Sequence, residues 1–500
     1  MNVMSIDGCK KIDSYSINRI GIPSIVLMEN AGHRIYEGIV HKGEKFIVFC
    51  GEGNNGGDGL VIARKLIKHK KQVYVVILGN GKKRTPDFIT NYNILKNLGV
   101  NIINIYQDNF ITEEIRGYIK SSDVVVDALF GIGLNRNITG IFYDVIKMIN
   151  EYSNYVVSVD IPSGINGDSG DVLGIAVKAN ETYTVEVYKT GFLNYKSMEF
   201  TGEIKVIDIG IPDEVKDKNT ENIFFMDKTE YKKLIPIRKL SGHKGTYGKC
   251  LILAGSSEFT GAAYITTESA VRMGSGLVTL VVPDEIYPIL AEKMIEAMVV
   301  KYSEIDRIDR LIDDADVIAC GPGLSSKSMN IDMLRRFIVK SKCPIVVDAD
   351  GLNALNRNKD LFKFLDGRAV LTPHLGEMSN LIDEEIKTIE NNRIEVCRKY
   401  SKDKNIVTLL KGYNTLISNG DRVIVNSTGS SKMASGGMGD CLTGIIASLI
   451  SQGLNSFDAA ILGAYIHGLS GDKVGECRYS VNARDIIDEI SKILQYMLLN

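Results

Sequence analysis

A run of β-branched and aromatic residues, Phe46-Ile47-Val48-Phe49-Cys50, breaks off into Gly51-Glu52-Gly53-Asn54-Asn55-Gly56-Gly57-Asp58-Gly59, and an amphipathic stretch follows at once. Over Leu60–Lys68 a helical period puts Leu60, Ala63 and Ile67 on a different face from Arg64 and Lys68, and Val73–Leu78 is the next strand. Strand, glycine loop, helix and strand make a βαβ unit, which pairs parallel and with right-handed connections. This unit commits the chain to a parallel sheet covered by helices, with ligands expected at the carboxyl ends of its strands.

The pattern recurs. Strands are predicted at Val124–Asp127, Val156–Asp160, Thr182–Val187 and Ile204–Ile209, then at Lys249–Ala254, Leu277–Val282, Val317–Cys320, Ile345–Asp348, Ala369–Thr372 and Ile406–Leu410. Between the two series Pro212–Asn222 is polar, charged and without period, as a linker would be. A chain of 500 residues exceeds one core,. The expectation is an α/β protein of two doubly wound domains, 1–212 and 223–500, joined by a linker at 213–222.

Charge and cysteine usage narrow the function. A formal net charge of −2 offers no general pull toward nucleic acid or an acidic membrane,. The eight cysteines have no Cys-x-x-Cys spacing, and several lie in apolar runs, which suits reduced thiols rather than disulfides or zinc,. Residues 1–11 hold no apolar signal core, and no apolar run approaches the roughly 18 residues of a membrane span,. A cytoplasmic protein without nucleic-acid or membrane partners is expected.

Three polar strand ends should converge in the first domain: the glycine loop, Asp127-Ala128-Leu129-Phe130-Gly131-Ile132-Gly133, and Asp160-Ile161-Pro162-Ser163-Gly164-Ile165. The loop lacks the Lys-Ser/Thr ending of a Walker motif, yet its glycines let backbone N–H groups approach a ligand. In the second domain Ser435-Gly436-Gly437-Met438-Gly439-Asp440 leads into a helix with apolar residues at 441, 442, 445, 446, 449 and 450. Bare amides at such an N-terminus form an anion hole for a transferring phosphoryl group, and Asp440 is placed to take a proton from a substrate hydroxyl.

The motifs GEGNNGGDG, DALFGIG and SVDIPSGI, with Met28-Glu29-Asn30-Ala31-Gly32, resemble the NAD(P)H-hydrate epimerase domain, Rossmann-like and built as a three-layer sandwich. The resemblance implies K⁺ bound by Asn55, Asp127 and Ser163, whose hard oxygens suit that ion. It also implies a nicotinamide hydrate lying along Asn54, Asn55, Gly56, Gly57 and Asp58 and along Gly131, Ile132, Gly133, Leu134, Asn135, Arg136 and Asn137. Asp160 would act as general acid and base. The Gly-x-Gly-Asp motif resembles the ribokinase-like superfamily. His243–Lys249, Cys320–Leu324, Val347–Gly351, Thr372–Glu377 and Lys411–Thr415 narrow the likeness to the nucleotide-dependent NAD(P)H-hydrate dehydratases.

By position, Lys411, Gly412, Tyr413, Asn414, Thr415 and Gly439 would contact the nucleotide, ADP with Mg²⁺. Ala263, Gly323, His374 and Asp440 would contact the hydrate. Taken together, the resemblance implies repair of hydrated NADH and NADPH by a homo-oligomer. Two other readings compete: a ribokinase-like small-molecule kinase, and a non-enzymatic interaction module like those of mRNA-decapping scaffolds.

Overall fold

The computed structural model describes residues 1–106 and 113–499, and the chain divides into two units, Met1–Glu221 and Asn222 onward. In the first, β1 (Lys45–Cys50), β2 (Gln72–Leu78), β3 (Ile102–Ile105), β4 (Val124–Ala128), β5 (Val156–Val159), β6 (Glu181–Val185) and β7 (Glu203–Ile207) form one sheet. Its spatial order is β3-β2-β1-β4-β5-β6-β7, and every pairing is parallel. This is the doubly wound order of a dinucleotide-binding fold with one strand added.

The continuous apolar run of β1 follows from its place in the middle. Phe46, Val48 and Cys50 pack into the core on one face, and Ile47 and Phe49 into the core on the other,. The helices Ser24–Ile39 and Asn54–Lys68 lie on the first face, Ile141–Tyr152 on the second.

Residues ahead of β1 add a device that the strand pattern does not announce. Val3–Met4 pairs parallel with Tyr188–Lys189. The helix Ile6–Tyr15 follows, capped by Ser5, whose Oγ accepts from the Gly8 N–H. Residues 213–222, expected as a linker, include a helix, Asp213–Lys218, whose Lys216 pairs with Glu186 at 2.8 Å, so they associate with the first unit.

The second unit holds β8 (Ile223–Phe225), β9 (Lys249–Leu253), β10 (Leu277–Val282), β11 (Met298–Lys301), β12 (Val317–Cys320), β13 (Ile345–Val347), β14 (Ala369–Leu371), β15 (Val407–Leu410), β16 (Thr415–Ser418) and β17 (Val423–Asn426). They form one sheet in the order β8-β17-β16-β15-β14-β13-β12-β9-β10-β11. β16 runs against its two neighbours; all other pairings are parallel. The helix Met438–Ser451 is buried from Cys441 to its end, as its apolar run requires, and packs with Thr260–Met273 and Ser456–Gly475,.

The α/β, doubly wound expectation therefore holds for both units. No helix among the described residues is long and apolar enough to cross a membrane.

Candidate active sites

The first unit contains a cavity of about 930 Å³ at the carboxyl ends of its strands. Asn54, Asn55 and Asp58 line it from the first turns of the helix Asn54–Lys68 that follows β1, Gly131–Leu134 and Arg136 from the loop after β4, and Asp160 from the end of β5. Gly56 and Gly57 are buried instead, because they are packing positions. A Cβ on Gly56 would stand 1.8 Å from the Gly51 carbonyl oxygen, and one on Gly57 would stand 2.6 Å from the Met28 sulfur. Asn135 and Asn137 also fall outside the lining, so of that loop's predicted substrate contacts the cavity takes Gly131–Leu134 and Arg136.

Asp160 has a left-handed backbone (φ 65°), which costs energy in a residue other than glycine,. Its Oδ1 accepts hydrogen bonds from Lys189 Nζ at 2.7 Å, the Val185 N–H at 3.1 Å and Thr184 Oγ1 at 3.5 Å. Lys189 is itself buried, and its remaining hydrogen bonds go to the Val185 and Val187 carbonyls. Burial lowers the Lys189 pKa, but the charge and hydrogen bond of Asp160, together with Cys9 and Asp13, raise it above its ordinary value.

Two further carboxyls face the same space. Asp58 is held well above the usual carboxylate range by burial and then by the Asp160 charge, and Asp13 is pushed up to about 6 by the same two causes. No sequence motif marks Asp13 or Lys189. The short pairing of Val3–Met4 with Tyr188–Lys189 brings both to the cavity.

Asp127 and Ser163 are fully buried and bound to each other. Asp127 accepts from Ser163 Oγ (2.6 Å), the Ser163 N–H (2.9 Å), Ser158 Oγ (2.8 Å) and the Leu129 N–H (3.3 Å). Burial raises its carboxyl, and these bonds counter the rise. Asn55 meets the Gly131 backbone, where a Cβ would lie 3.1 Å from its Oδ1. The amide nitrogen of Asn55 is buried without a partner. A flip of that amide would turn its oxygen to the same spot, so the donor set of amide, carboxylate and hydroxyl oxygens fits a hard monovalent cation.

The second unit gathers its site around Asp348, at the end of β13. Asp348 is 1% exposed and accepts from Lys411 Nζ at 2.8 Å and Thr443 Oγ1 at 2.9 Å. Burial would raise its carboxyl, but Lys411 overrides that and holds it below the usual range. Gly439 fits over this pair, since a Cβ there would stand 3.2 Å from Asp348 Oδ2 and 3.3 Å from Lys411 Nζ.

Asp440 occupies the first turn of the helix Met438–Ser451, and burial, then the Asp348 charge, push it up to about 6. Lys411 also lies 3.7 Å from Glu377. The structure thus brings Lys411, Gly439 and Asp440 together, with Asp348, Thr443 and Glu377 as partners that the sequence motifs left without a role. Arg393, also unforeseen, holds the Gly412–Thr415 turn by donating to the Tyr413 and Asn414 carbonyls. Glycine at 412 (φ 149°) and asparagine at 414 (φ 51°) suit the backbone of that turn,.

Two expected hydrate contacts are placed differently. Ala263 is fully buried against Gly255, and the surface of its helix beside Gly323 comes from Ala262, 2.8 Å from a Cβ at that glycine. His374 caps the helix Leu375–Ile382: its Nδ1 accepts from the Gly376 and Glu377 N–H groups at 3.0 and 3.2 Å. Its Nε2 lies 3.6 Å from Glu377 Oε1.

The NAD(P)H-hydrate dehydratase family profile matches residues 250–492, and the profile for the YjeF-related protein N-terminus matches 24–191. A bifunctional NAD(P)H-hydrate repair enzyme from Moorella thermoacetica is 36% identical, covering 97% of this chain and 95% of the relative. One from Thermofilum pendens is 33% identical, covering 96% and 93%. Among solved structures, a hypothetical protein from Streptococcus mutans is 27% identical with a TM-score of 0.52, covering 55% of this chain and 100% of its own. A ribokinase-like superfamily protein from Enterococcus faecalis is 23% identical with a TM-score of 0.53, covering 56% and 98%, and shares the fold. With both domain profiles in place and relatives aligned over nearly the whole length, the chain belongs to the family of bifunctional NAD(P)H-hydrate repair enzymes.

Proposed function

We propose that the chain repairs hydrated NADH and NADPH: the first unit, Met1–Glu221, interconverts the R and S hydrates at C6, and the second, from Asn222, dehydrates the S hydrate using ADP. The observation that carries the second half is the meeting of Asp440, Lys411 and Gly439 over the buried Asp348 at a helix N-terminus. Hydroxide is a poor leaving group and phosphate a good one. Asp440 takes the proton from the C6 hydroxyl, which attacks the terminal phosphoryl group of the nucleotide. The N–H groups at 437–440 and the Lys411 ammonium stabilise the charge on that group, and loss of phosphate with assistance from the ring nitrogen restores the dihydronicotinamide.

Mg²⁺ would be held largely by phosphate oxygens with Asp348 beside them, and would neutralise phosphoryl charge. Gly412–Thr415 supports the nucleotide, and Gly323, Ala262 and the Nε2 edge of His374 border the hydrate.

In the first unit Asp160 handles a proton at C6 while the ring nitrogen expels the C6 hydroxyl and water re-adds. Asn54, Asn55, Asp58, Gly131–Leu134 and Arg136 hold the hydrate. K⁺ would be held by Asn55, Asp127 and Ser163, where its charge would order the loops after β1 and β4. The protein acts as a homo-oligomer in the cytoplasm.

The test follows recovery of NADH absorbance and free phosphate from a mixed-epimer hydrate with ADP, Mg²⁺ and K⁺. Complete recovery, stoichiometric with phosphate and faster than spontaneous epimerisation allows, is expected. Recovery that stops at the S share would sink the first half. A stable phosphorylated product without NADH would point to a small-molecule kinase.

A further inference from the structure

Epimerisation at C6 breaks a C–O bond on one face of the ring and makes one on the other. The leaving hydroxyl needs a proton, and the entering water must lose one. Asp160 is poorly suited to do both. Its Oδ1 is taken by Lys189, Val185 and Thr184, its backbone is held in a left-handed turn, and its side chain is 11% exposed. A carboxylate fixed in this way addresses one face.

The helix Ile6–Tyr15 supplies a second group. Ile12 is buried in the core, and the adjacent Asp13 lines the same cavity as Asp160. Among the described residues the Asp13 carboxyl has no hydrogen-bonding or ionic partner, although the Asp160 charge acts on it directly. Cys9 and Lys10 of its own helix line the cavity, as do Asp58, Asp160, Glu186 and Lys189 from the elements around it.

We propose that Asp13 is a second catalytic carboxyl of the epimerase site, working on the face of the nicotinamide ring that Asp160 does not serve. This rests on the epimerase reading of the first unit. In one direction protonated Asp13 gives its proton to the C6 hydroxyl. The C6–O bond breaks, water departs with the bonding pair, and the N1 lone pair forms N1=C6. A second water then bonds to C6 from the opposite face and yields a proton to Asp160, while the N1=C6 pair returns to nitrogen. One water leaves and one enters, and nothing is oxidised or reduced. The reverse reaction, or exchange with solvent, returns the proton to Asp13. With its carboxyl near 6, Asp13 can release and regain a proton around neutrality.

The experiment measures epimerisation of the separated hydrates by the full chain against pH, with the denaturant melt of the same preparations reporting that the first unit is folded. In the wild type the R-to-S rate should fall as pH rises through about 6, since an acid must carry its proton. Asp13→Asn should lower kcat by about 10²–10⁴-fold, leave KM and the melt of the first unit unchanged, and abolish that limb. Asp13→Glu should restore part of kcat and bring the limb back. Wild-type kcat and an intact limb in Asp13→Asn would overturn the inference alone. A wild type that dehydrates but never epimerises would overturn the epimerase reading and this inference with it.

Discussion

In the proposed mechanism Asp440 and Asp160 each handle a proton, but from opposite surroundings. Asp440 is crowded by burial and the Asp348 charge, which push it to about 6; Asp160 is clamped by the buried ammonium of Lys189. As a base, Asp440 must be ionised, so dehydration should fall about tenfold per pH unit below 6, and initial rates from pH 4.5 to 8 would reveal that acid limb. Asp440→Asn should abolish dehydration and spare epimerisation; Asp160→Asn should do the reverse, as separate assays on one preparation would tell. Lys189→Met leaves Asp160 as an uncompensated carboxylate in a largely buried position, a change that costs about 3–5 kcal/mol. It should lower the melting midpoint of the first unit as well as its activity. Asp440 could be read from its glycine motif and Asp160 from its strand end. Lys189 and Asp13 could not, since neither lies in a motif and only the distant Val3–Met4 pairing brings them in. His374 shows the converse: a histidine beside Gly376-Glu377 reads as a ligand contact, yet that same spacing is the one a helix cap needs,.

At the level of elements, the glycine loop after β1 holds the backbones of the loop close together before it holds any ligand. Gly56→Ala would drive a methyl group into the Gly51 carbonyl. A cost at or above the usual 1–3 kcal/mol of overpacking is expected, visible in denaturant melts as loss of the first unit with dehydratase activity retained. Central strands such as β1 and β4 were legible because both faces are buried and the apolar run is unbroken. The edge strands β3 and β11 escaped notice, being four residues long and only partly covered. The hairpin of β16 and β17 turns at Gly420-Asp421, with Gly420 at φ 96° and Asn419 bonded to Arg422 across it, a turn pair that the search for parallel units passed over,.

For the whole molecule, two sheets with separate cores imply separable activities. A fragment starting at Asn222 should dehydrate the S hydrate with ADP. One starting at Lys228 lacks β8, exposes the backbone edge of β17 and should aggregate; light scattering with the activity assay would distinguish them,. The lapse in periodicity at 212–222 was expected to be a linker, whereas it holds a helix that stays with the first unit; nor was the capture of β8 by β17 visible, because that pairing joins the beginning of the second unit to a strand near its end. Ile223 lies opposite Val423. On the ribosome, then, the first unit can close its sheet once β7 has emerged, whereas the second must wait with its opening strand unpaired until β17 has been synthesised. A pause in translation between these strands would leave a finished epimerase tethered to a sticky, incomplete partner, so the later half of the message is where slow codons would do most harm to yield.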